Sequence, residues 1–242
     1  MPLRVFITGA SSGIGEALAR HYAADGATLG LAARRARQLQ ALADSFPRKS
    51  SIYALDVKDS AALAAAARDF IERHGVPDIV IANAGISAGT RSEVAADIAA
   101  LSSIMQVNVL GLAATLQPFI APMRERGSGV LVGIASVAGF RGLPGAGAYS
   151  ASKSAAITWL ESLRVDKAGA DGEHVHAAAV QFDAQAPEAA RRIARAITAR
   201  KRLAIIPWQM RLVFFLLRRM PNRLYDRLFA RAPRKPHDLP PG

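Results

Sequence analysis

Thr8-Gly9-Ala10-Ser11-Ser12-Gly13-Ile14-Gly15 is a glycine-rich turn that joins an apolar run, 3–8, to an alanine-rich run with helical period. Glycines at such a turn let the backbone approach a ligand closely, and the N–H groups at the start of the helix attract an anion. The order of strand, glycines and helix therefore predicts a binding site for the pyrophosphate of a dinucleotide. The predicted binding residues of this turn are Gly9, Ser11, Ser12, Gly13, Ile14 and Gly15. An ordinary tight turn between a strand and a helix is the alternative.

The alternation that starts at this turn continues along the chain. Apolar runs, which predict strands, lie at 3–8, 27–32, 51–55, 79–82, 129–134, 175–182 and 203–206. Stretches with helical period lie at 13–24, 36–45, 60–74, 96–124, 148–168 and 187–200. Strands that alternate with helices form parallel crossovers, so we predict an α/β fold with a Rossmann-type doubly wound parallel sheet. Ligands of such sheets bind at the carboxyl ends of the strands.

The composition indicates one folded domain with a tail. The 242 residues are 51% hydrophobic and 21% charged and include no cysteine, which excludes a disulfide framework, a cysteine-ligated metal site and a cysteine nucleophile. We predict a dinucleotide-binding domain at 1–206, a basic amphipathic helical extension at 207–242 and no metal site. The first residues lack the apolar length and the cleavage site of a signal peptide, so the cytoplasm is the expected location.

The formal net charge of +12 is concentrated in the tail. Residues 188–242 hold 14 Lys and Arg against 3 Asp and Glu, whereas residues 1–187 hold 17 against 16. The uninterrupted apolar run from Leu212 to Leu217 is far shorter than the roughly 20 residues that span a bilayer. Segment 208–230 fits three interpretations: peripheral contact with an anionic membrane, packing over the active site, or pairing between subunits. Nucleic acid is not an expected partner, because no recognition motif occurs.

The residues after the second predicted strand bear on the choice of cofactor. A dinucleotide site that prefers NAD places Asp or Glu about 20 residues beyond the glycines, where the carboxylate accepts from the ribose 2′-OH. This chain has Ala32-Ala33-Arg34-Arg35 at that place. A guanidinium pairs with a 2′-phosphate instead, so Arg34 predicts NADP(H). A solvated pair of loop arginines is the alternative.

Three residues near the fifth predicted strand form a candidate catalytic group. Ser136 lies just past that strand, and Tyr149 and Lys153 are one turn apart on the next predicted helix, so they share a face. A phenol transfers protons poorly at neutral pH unless a nearby cation favours its anion, and Lys153 supplies that cation. Ser136 is placed to hydrogen-bond a substrate oxygen. Without the dinucleotide turn, a common surface pair on a helix would be the simpler interpretation of the tyrosine and lysine.

The set of motifs resembles the short-chain dehydrogenase/reductase family over about residues 3–182. The motifs that carry the resemblance are Thr8-Gly-x-x-x-Gly13-x-Gly15, Asp56 after the third strand, Asn83-Ala84-Gly85 after the fourth, Asn108 in Val-Asn-Val-Leu-Gly, Ser136, and Tyr149-x-x-x-Lys153. Taken alone, Asn83-Ala84-Gly85 could be a plain turn and Asp56 a helix N-cap.

The resemblance implies a role for each of these residues. Tyr149 would be the general acid or base, and Lys153 would lower its pKa and hold the nicotinamide ribose. Ser136 would orient the carbonyl, and Asn108 would support a proton relay through water. Cofactor contacts would come from Asp56 at the adenine, from Asn83, Ala84 and Gly85 along the cleft, and from Arg34 at the 2′-phosphate. Homo-oligomers through the two long helices, 96–124 and 148–168, are implied as well.

One departure from the family pattern follows the sixth predicted strand. The family shows Pro-Gly there, then a Thr and a helical lid over the substrate, whereas this chain continues Asp183-Ala184-Gln185-Ala186-Pro187 into the next helix. The expected function is an NADP(H)-dependent oxidoreductase that acts on a carbonyl or secondary alcohol, with an apolar substrate suggested by the tail. Because a lid excludes water and holds the substrate, its loss leaves an alternative: a cofactor-binding, catalytically impaired member that serves as a regulatory or scaffold protein.

Overall fold

Seven parallel strands form one sheet in the order β3-β2-β1-β4-β5-β6-β7. A computed structural model describes residues 2–48, 50–167, 175–182, 186–201, 203–206, 212, 215–216 and 219–229. The strands are β1 Arg4–Thr8, β2 Thr28–Ala33, β3 Ser51–Ala54, β4 Ile79–Ala82, β5 Gly129–Ile134, β6 Val175–Phe182 and β7 Leu203–Ile206. Every strand pair is parallel, so each connection is a crossover, and this confirms the predicted fold class.

Helices fill these crossovers. They are α1 Gly13–Ala24, α2 Ala36–Asp44, α3 Ser60–His74, α4 Asp97–Met105, α5 Gly111–Arg126, α6 Gly147–Lys167, α7 Ala186–Thr198 and α8 Asn222–Phe229. A single π-helical turn, Gln106–Leu110, joins α4 to α5, so the helix predicted at 96–124 is continuous but locally widened. By length and composition this long helix could cross a membrane. Its side chains Leu112, Leu116 and Phe119 are instead buried among residues of the sheet.

The core has two layers, one on each face of the sheet. Helices α1, α2 and α7 cover one face with residues such as Leu18, Leu39 and Ile193. On the opposite face Phe6 of β1 meets two aromatic rings, with centroid distances of 5.6 Å to Phe70 of α3 and 5.1 Å to Phe119 of α5. Burial of these apolar side chains on both faces is a main source of the fold's stability.

The sheet reverses its strand order between β1 and β4. Crossovers run outward from this pair in opposite directions, so the loops after the two strands diverge and leave a crevice at their carboxyl ends. Thr8 ends β1 and Ala82 ends β4, which places the glycine-rich turn and Asn83 at this point. The predicted binding motifs therefore lie where this fold accepts a ligand.

The region beyond β7 is described in part. Helix α8 is present, whereas most of 207–218 and all of 230–242 lie outside the described residues. The domain division after residue 206 stays a prediction. The departure after the sixth strand falls on Asp183-Ala184-Gln185, also outside the described residues, but β6 ends at Phe182 and α7 begins at Ala186. The connection thus has three residues.

Candidate functional site

A cleft of about 380 Å³ lies at the carboxyl ends of the central strands. Its lining includes most of the predicted site residues: Gly9, Ser11, Ser12, Ile14, Arg34, Asp56, Asn83, Ala84, Gly85, Tyr149 and Lys153. Four predicted residues are not in the lining, namely Gly13, Gly15, Asn108 and Ser136. Each of these four lies beside a lining residue in the chain or bonds to one, so the motifs converge on one place.

The turn after β1 needs glycines because it lies very close to the loop after β4. A Cβ added to Gly9 would lie 2.8 Å from the Cα of Ala84, and one added to Gly15 would lie 2.2 Å from the carbonyl oxygen of Gly9. Gly9 and Gly13 also have φ values of 68° and 58°, which favour glycine. Side chains at Gly9 and Gly15 would push the turn away from Ala84 and Asn83 in the loop after β4, so these two glycines shape the cleft floor.

Asn83 ties the ends of β1 and β4 together. Its Nδ2 donates to the carbonyl oxygens of Thr8 at 3.1 Å and Gly9 at 3.2 Å, and the Ala84 N–H donates to Thr8 Oγ1 at 3.4 Å. The amide side chain is therefore engaged by protein backbone while the residue still lines the cleft. Bonds between chain positions 75 residues apart make this more than a plain local turn.

Two arginines and two serines meet at the edge of the cleft. The Arg35 guanidinium donates to Ser11 Oγ through Nε at 3.2 Å and Nη2 at 3.0 Å, and to Ser12 Oγ at 2.5 Å. Ser12 is the N-cap of α1, but its side chain does not cap the helix. Sequence reasoning placed the 2′-phosphate contact on Arg34 and did not assign Arg35, although the two are adjacent and both line the cleft.

Asp56 lies among cations rather than at a helix start. Its Oδ2 is 4.0 Å from Arg34 Nη1 and 3.7 Å from Lys58 Nζ, and its Oδ1 accepts from the Lys58 N–H at 3.0 Å. The N-cap of α3 is Asp59, whose side chain accepts from the Ala62 N–H at 2.9 Å. The N-cap alternative for Asp56 is therefore wrong.

Ser136, Tyr149 and Lys153 come together at the other end of the cleft. The Ser136 hydroxyl hydrogen-bonds the Tyr149 side chain and accepts from the Ala138 N–H at 3.3 Å. Lys153 Nζ donates to the Ile134 carbonyl at 2.8 Å and lies 5.7 Å from the centroid of the Tyr149 ring. The predicted group thus forms around the end of β5 and the first turns of α6.

Burial controls the protonation of this group. It raises the pKa of Tyr149, and the hydrogen bond from Ser136 offsets part of the rise. Burial also lowers the pKa of Lys153 to about 8, because an ammonium ion is poorly solvated there. The lowering of the Tyr149 pKa that we expected from Lys153 is therefore not found in this arrangement, in which the lysine is directed to Ile134.

Asn108 sits in the π-helical turn and is fully buried. Its Oδ1 accepts from the Ile86 N–H at 2.8 Å, and its Nδ2 donates to the Ile86 carbonyl at 2.9 Å and to Ser152 Oγ at 3.0 Å. The side chain thus holds the loop after β4 against α6, next to Lys153. Widened helical turns often occur at functional sites.

Helix α8 and the residues just before it dock on the loop between Ser136 and Tyr149. The Tyr225 hydroxyl donates to the Gly142 carbonyl at 2.5 Å, and the Arg141 guanidinium donates to the carbonyl of Met220 and to Asn222 Oδ1, both at 2.8 Å. The Arg141 guanidinium also stacks 4.1 Å from the Tyr225 ring centroid. Sequence reasoning offered packing over the active site as one possibility, and α8 lies beside the loop that leads into α6.

Comparisons with known proteins agree with this geometry. The family model described as short chain dehydrogenase matches residues 4–182. The match ends at the last residue of β6, where the sequence departs from the family pattern. The match therefore spans the sheet through β6 and the stretch of chain that holds every residue of the candidate site.

Two curated relatives and one solved structure illustrate the similarity. An uncharacterized oxidoreductase of Myxococcus xanthus (strain DK1622) is 43% identical over 166 residues, and a 2-dehydro-3-deoxy-L-rhamnonate dehydrogenase (NAD(+)) of Sphingomonas sp. (strain SKA58) is 36% identical over 163. Each alignment covers 67% of this chain and 65% of the relative. A short chain dehydrogenase/reductase from Burkholderia phymatum in complex with NAD is 24% identical, covers 98% of both chains and has a TM-score of 0.80, which supports the fold. From the family match and the converging motifs, the chain belongs to the short-chain dehydrogenase family of oxidoreductases.

Proposed function

We propose that this protein is an NADP(H)-dependent oxidoreductase that transfers hydride between nicotinamide and a carbonyl or secondary alcohol. The observation that carries the proposal is the group at the end of the cleft. Tyr149 is hydrogen-bonded to Ser136, and Lys153 lies one turn further along α6. A phenol, a hydroxyl and an ammonium ion at one rim suit proton transfer to or from an alkoxide.

The groups at the edge of the cleft support the preference for a dinucleotide that carries an extra phosphate. The first turn of α1 presents N–H groups that the Ser12 side chain does not cap, and the hydroxyls of Ser11 and Ser12 are beside them. Arg34 and Arg35 extend the positive charge past the end of β2, where an NAD-selective site has a carboxylate. Asp56 would contact the adenine. A relative and a solved structure are named with NAD, so titration with both nucleotides tests the preference for NADP(H) directly.

Each residue of the candidate site has a proposed role in the reaction. When bound, the nicotinamide supplies or accepts the hydride. Tyr149 passes a proton to or from the substrate oxygen, and Ser136 donates a hydrogen bond that orients the same oxygen. Lys153 would hold the ribose hydroxyls, and its pKa of about 8 leaves most of it charged at neutral pH. Asn108 keeps the loop after β4 in place beside Lys153 and would support a water relay.

The substrate side is proposed to accept a compound with an apolar body. A second cavity of about 350 Å³ is lined by residues 90–93 and by residues 142–145 with Gly147, and the second loop leads into α6 and Tyr149. The tail that contacts Gly142 is rich in exposed apolar side chains. An apolar substrate would be favoured near such a surface.

A second candidate function rests on the short connection after β6. Three residues separate Phe182 from Ala186, so no lid of the family kind follows this strand. A protein that binds the cofactor without closing over a substrate would serve as a regulatory or scaffold protein. Water in an open site would then limit turnover.

Two measurements separate these functions. Fluorescence titration with NADPH and NADH is expected to show tighter binding of NADPH, and a screen of carbonyl substrates is expected to show turnover that Tyr149→Phe abolishes. Binding of NADPH without turnover of any carbonyl or alcohol would favour the scaffold function. Full activity of Tyr149→Phe would contradict the catalytic assignment, and binding of neither nucleotide would contradict both functions.

We also propose a cytoplasmic protein that forms homo-oligomers through the long helices. Ile98 of α4 and Leu110 of the π-helical turn are exposed by more than 60% on the first of these helices, which supports a subunit contact. Light scattering is expected to give the mass of a dimer or tetramer. A monomer at every concentration tested would contradict this part of the proposal.

A further inference from the structure

The tail carries an apolar surface that is strongly exposed to solvent. Among the described residues, eight large apolar side chains are strongly exposed, and five of them lie in the tail. These five, which we call the tail surface, are Leu212, Phe215, Leu216, Leu224 and Leu228, with exposed fractions from 49% to 65%. Single exposed apolar residues are ordinary, but five within seventeen positions mark an interaction surface.

The tail surface follows helical spacing and is flanked by arginines. Leu212, Phe215 and Leu216 are three and four residues apart in helical backbone, and the Arg219 guanidinium stacks 3.9 Å from the centroid of Phe215. An arginine that lies along an apolar side chain and keeps its charge in solvent suits the boundary between an apolar phase and water. The part of the tail surface formed by Leu212, Phe215 and Leu216 is therefore both apolar and cationic.

Helix α8 repeats the arrangement and is held with its apolar row outward. Leu224 and Leu228 are one turn apart and exposed, with Arg223 and Arg227 in the adjoining row. The docked side is a different one, because Tyr225 is buried and bonded to Gly142. The contact with the folded domain thus uses one side of α8 and leaves the leucines facing solvent.

We propose that the tail surface binds an anionic phospholipid bilayer. Charge complementarity supports this occupant: residues 207–242 contain eight Lys and Arg against two Asp and Glu. Apolar rows with arginines at their edges bind in the interface of a membrane, where the apolar groups enter the acyl boundary and the cations meet lipid phosphates. The six-residue apolar run lies on the bilayer rather than across it.

A second copy of the chain fits the same surface less well. A symmetric contact places the same row of each copy against the other, which brings Arg223 and Arg227 of two helices together. Asp226 is the one carboxylate of α8 that could offset them. An anionic bilayer instead offers opposite charge to every arginine on the surface.

Vesicle flotation tests the proposal with the full chain. Recovery with phosphatidylcholine vesicles that contain phosphatidylglycerol is expected to be high at low salt, to fall at high salt, and to be low with phosphatidylcholine alone. Leu224→Ser/Leu228→Ser is expected to lower the partition coefficient by at least about tenfold, since each leucine loses its transfer into the acyl boundary. Arg223→Gln/Arg227→Gln, which leaves the apolar row intact, is expected to give a loss of about tenfold.

Matched controls separate the tail surface from general effects. Leu3→Ser removes an exposed apolar side chain outside the tail, and Arg20→Gln/Arg73→Gln removes two exposed arginines from α1 and α3. Both controls are expected to keep full recovery. Equal losses in the controls, or equal recovery with neutral and anionic vesicles, would overturn the proposal. So would leucine variants that change a dimer into a monomer in light scattering while the parent protein fails to float.

Discussion

Lys153 Nζ lies 2.8 Å from the carbonyl oxygen of Ile134, and the residue is only 4% exposed. One backbone oxygen does not replace the hydration of an ammonium ion, so burial lowers the pKa of Lys153 from 10.5 to about 8. Between these two pKa values Lys153 is mostly neutral in the folded protein, whereas in the unfolded chain it still carries its proton. The free energy of unfolding therefore rises with pH across this window, and below about pH 8 the buried charge costs stability.

Lys153→Met tests this cost. The variant is expected to raise the free energy of unfolding at about pH 7 by roughly 1 to 3 kcal/mol, with a gain that shrinks toward about pH 10. Urea unfolding at several pH values measures the difference, and Lys201→Met, at an exposed lysine, is the control. The same variant is expected to lose turnover. A loss of stability at neutral pH, or a difference that does not change with pH, would contradict the argument.

The arginines beside the cleft are expected to set the choice of nucleotide. Arg34→Ala and Arg35→Ala should each weaken NADPH binding about 10- to 100-fold, the loss expected for one charge-assisted hydrogen bond to phosphate. NADH, which lacks the 2′-phosphate, should change by far less. Titration of both nucleotides gives the ratio. Arg37→Ala, at an exposed position of α2 outside the cleft, should change neither constant, and an equal loss for NADPH and NADH would refute the assignment.

The elements that could be predicted from sequence are those governed by local rules. The turn from Gly9 to Gly15 needs close backbone approach, and only glycine permits it, so its residue types reveal its position. Hydrophobic periodicity alone predicts the strands, and the four-residue spacing of Tyr149 and Lys153 on a helix predicts that they share a face. Both could be found without knowing what lies nearby in space.

Contacts between distant positions could not be predicted in this way. Arg35 bonds Ser11 across 24 residues, and Tyr225 bonds Gly142 across 83. The sign of the Tyr149 pKa change depends on burial by the whole fold rather than on its neighbour one turn away. Local patterns place side chains on a face of a helix, but only the packing decides which partner each one meets.

Asn108 is expected to act through position. Asn108→Ala leaves the Ile86 N–H and carbonyl and the Ser152 hydroxyl without their amide partner, so the free energy of unfolding should fall by roughly 2 to 4 kcal/mol. Ser152→Ala loses one of these bonds and should cost about 1 kcal/mol. Thermal and urea unfolding check both values. Equal stability of Asn108→Ala and the parent protein would show that these bonds contribute little.

The docking of α8 is expected to depend on Arg141. Arg141→Ala removes two hydrogen bonds to the tail and the stacking on Tyr225, so the tail should detach more often and be cleaved several-fold faster by trypsin. Affinity for NADPH should not change, because Arg141 does not line the cleft. Arg124→Ala, at an exposed position of α5, is the control. Unchanged cleavage would mean that the tail is held by other contacts.

The buried Tyr22 and the half-buried Tyr53, on opposite faces of the sheet, are expected to respond differently to loss of the hydroxyl. Tyr22 Oη is buried and has no hydrogen-bond partner within the described part of the chain, and burial strongly raises its pKa. Tyr22→Phe removes this unpaired group, so the free energy of unfolding should rise by about 1 kcal/mol. Tyr53 Oη donates to Asp69 at 2.8 Å, so Tyr53→Phe should cost about 1 kcal/mol. Urea unfolding of both variants measures the contrast, and a loss of equal size in both would indicate that Tyr22 has a hydrogen-bond partner in solution.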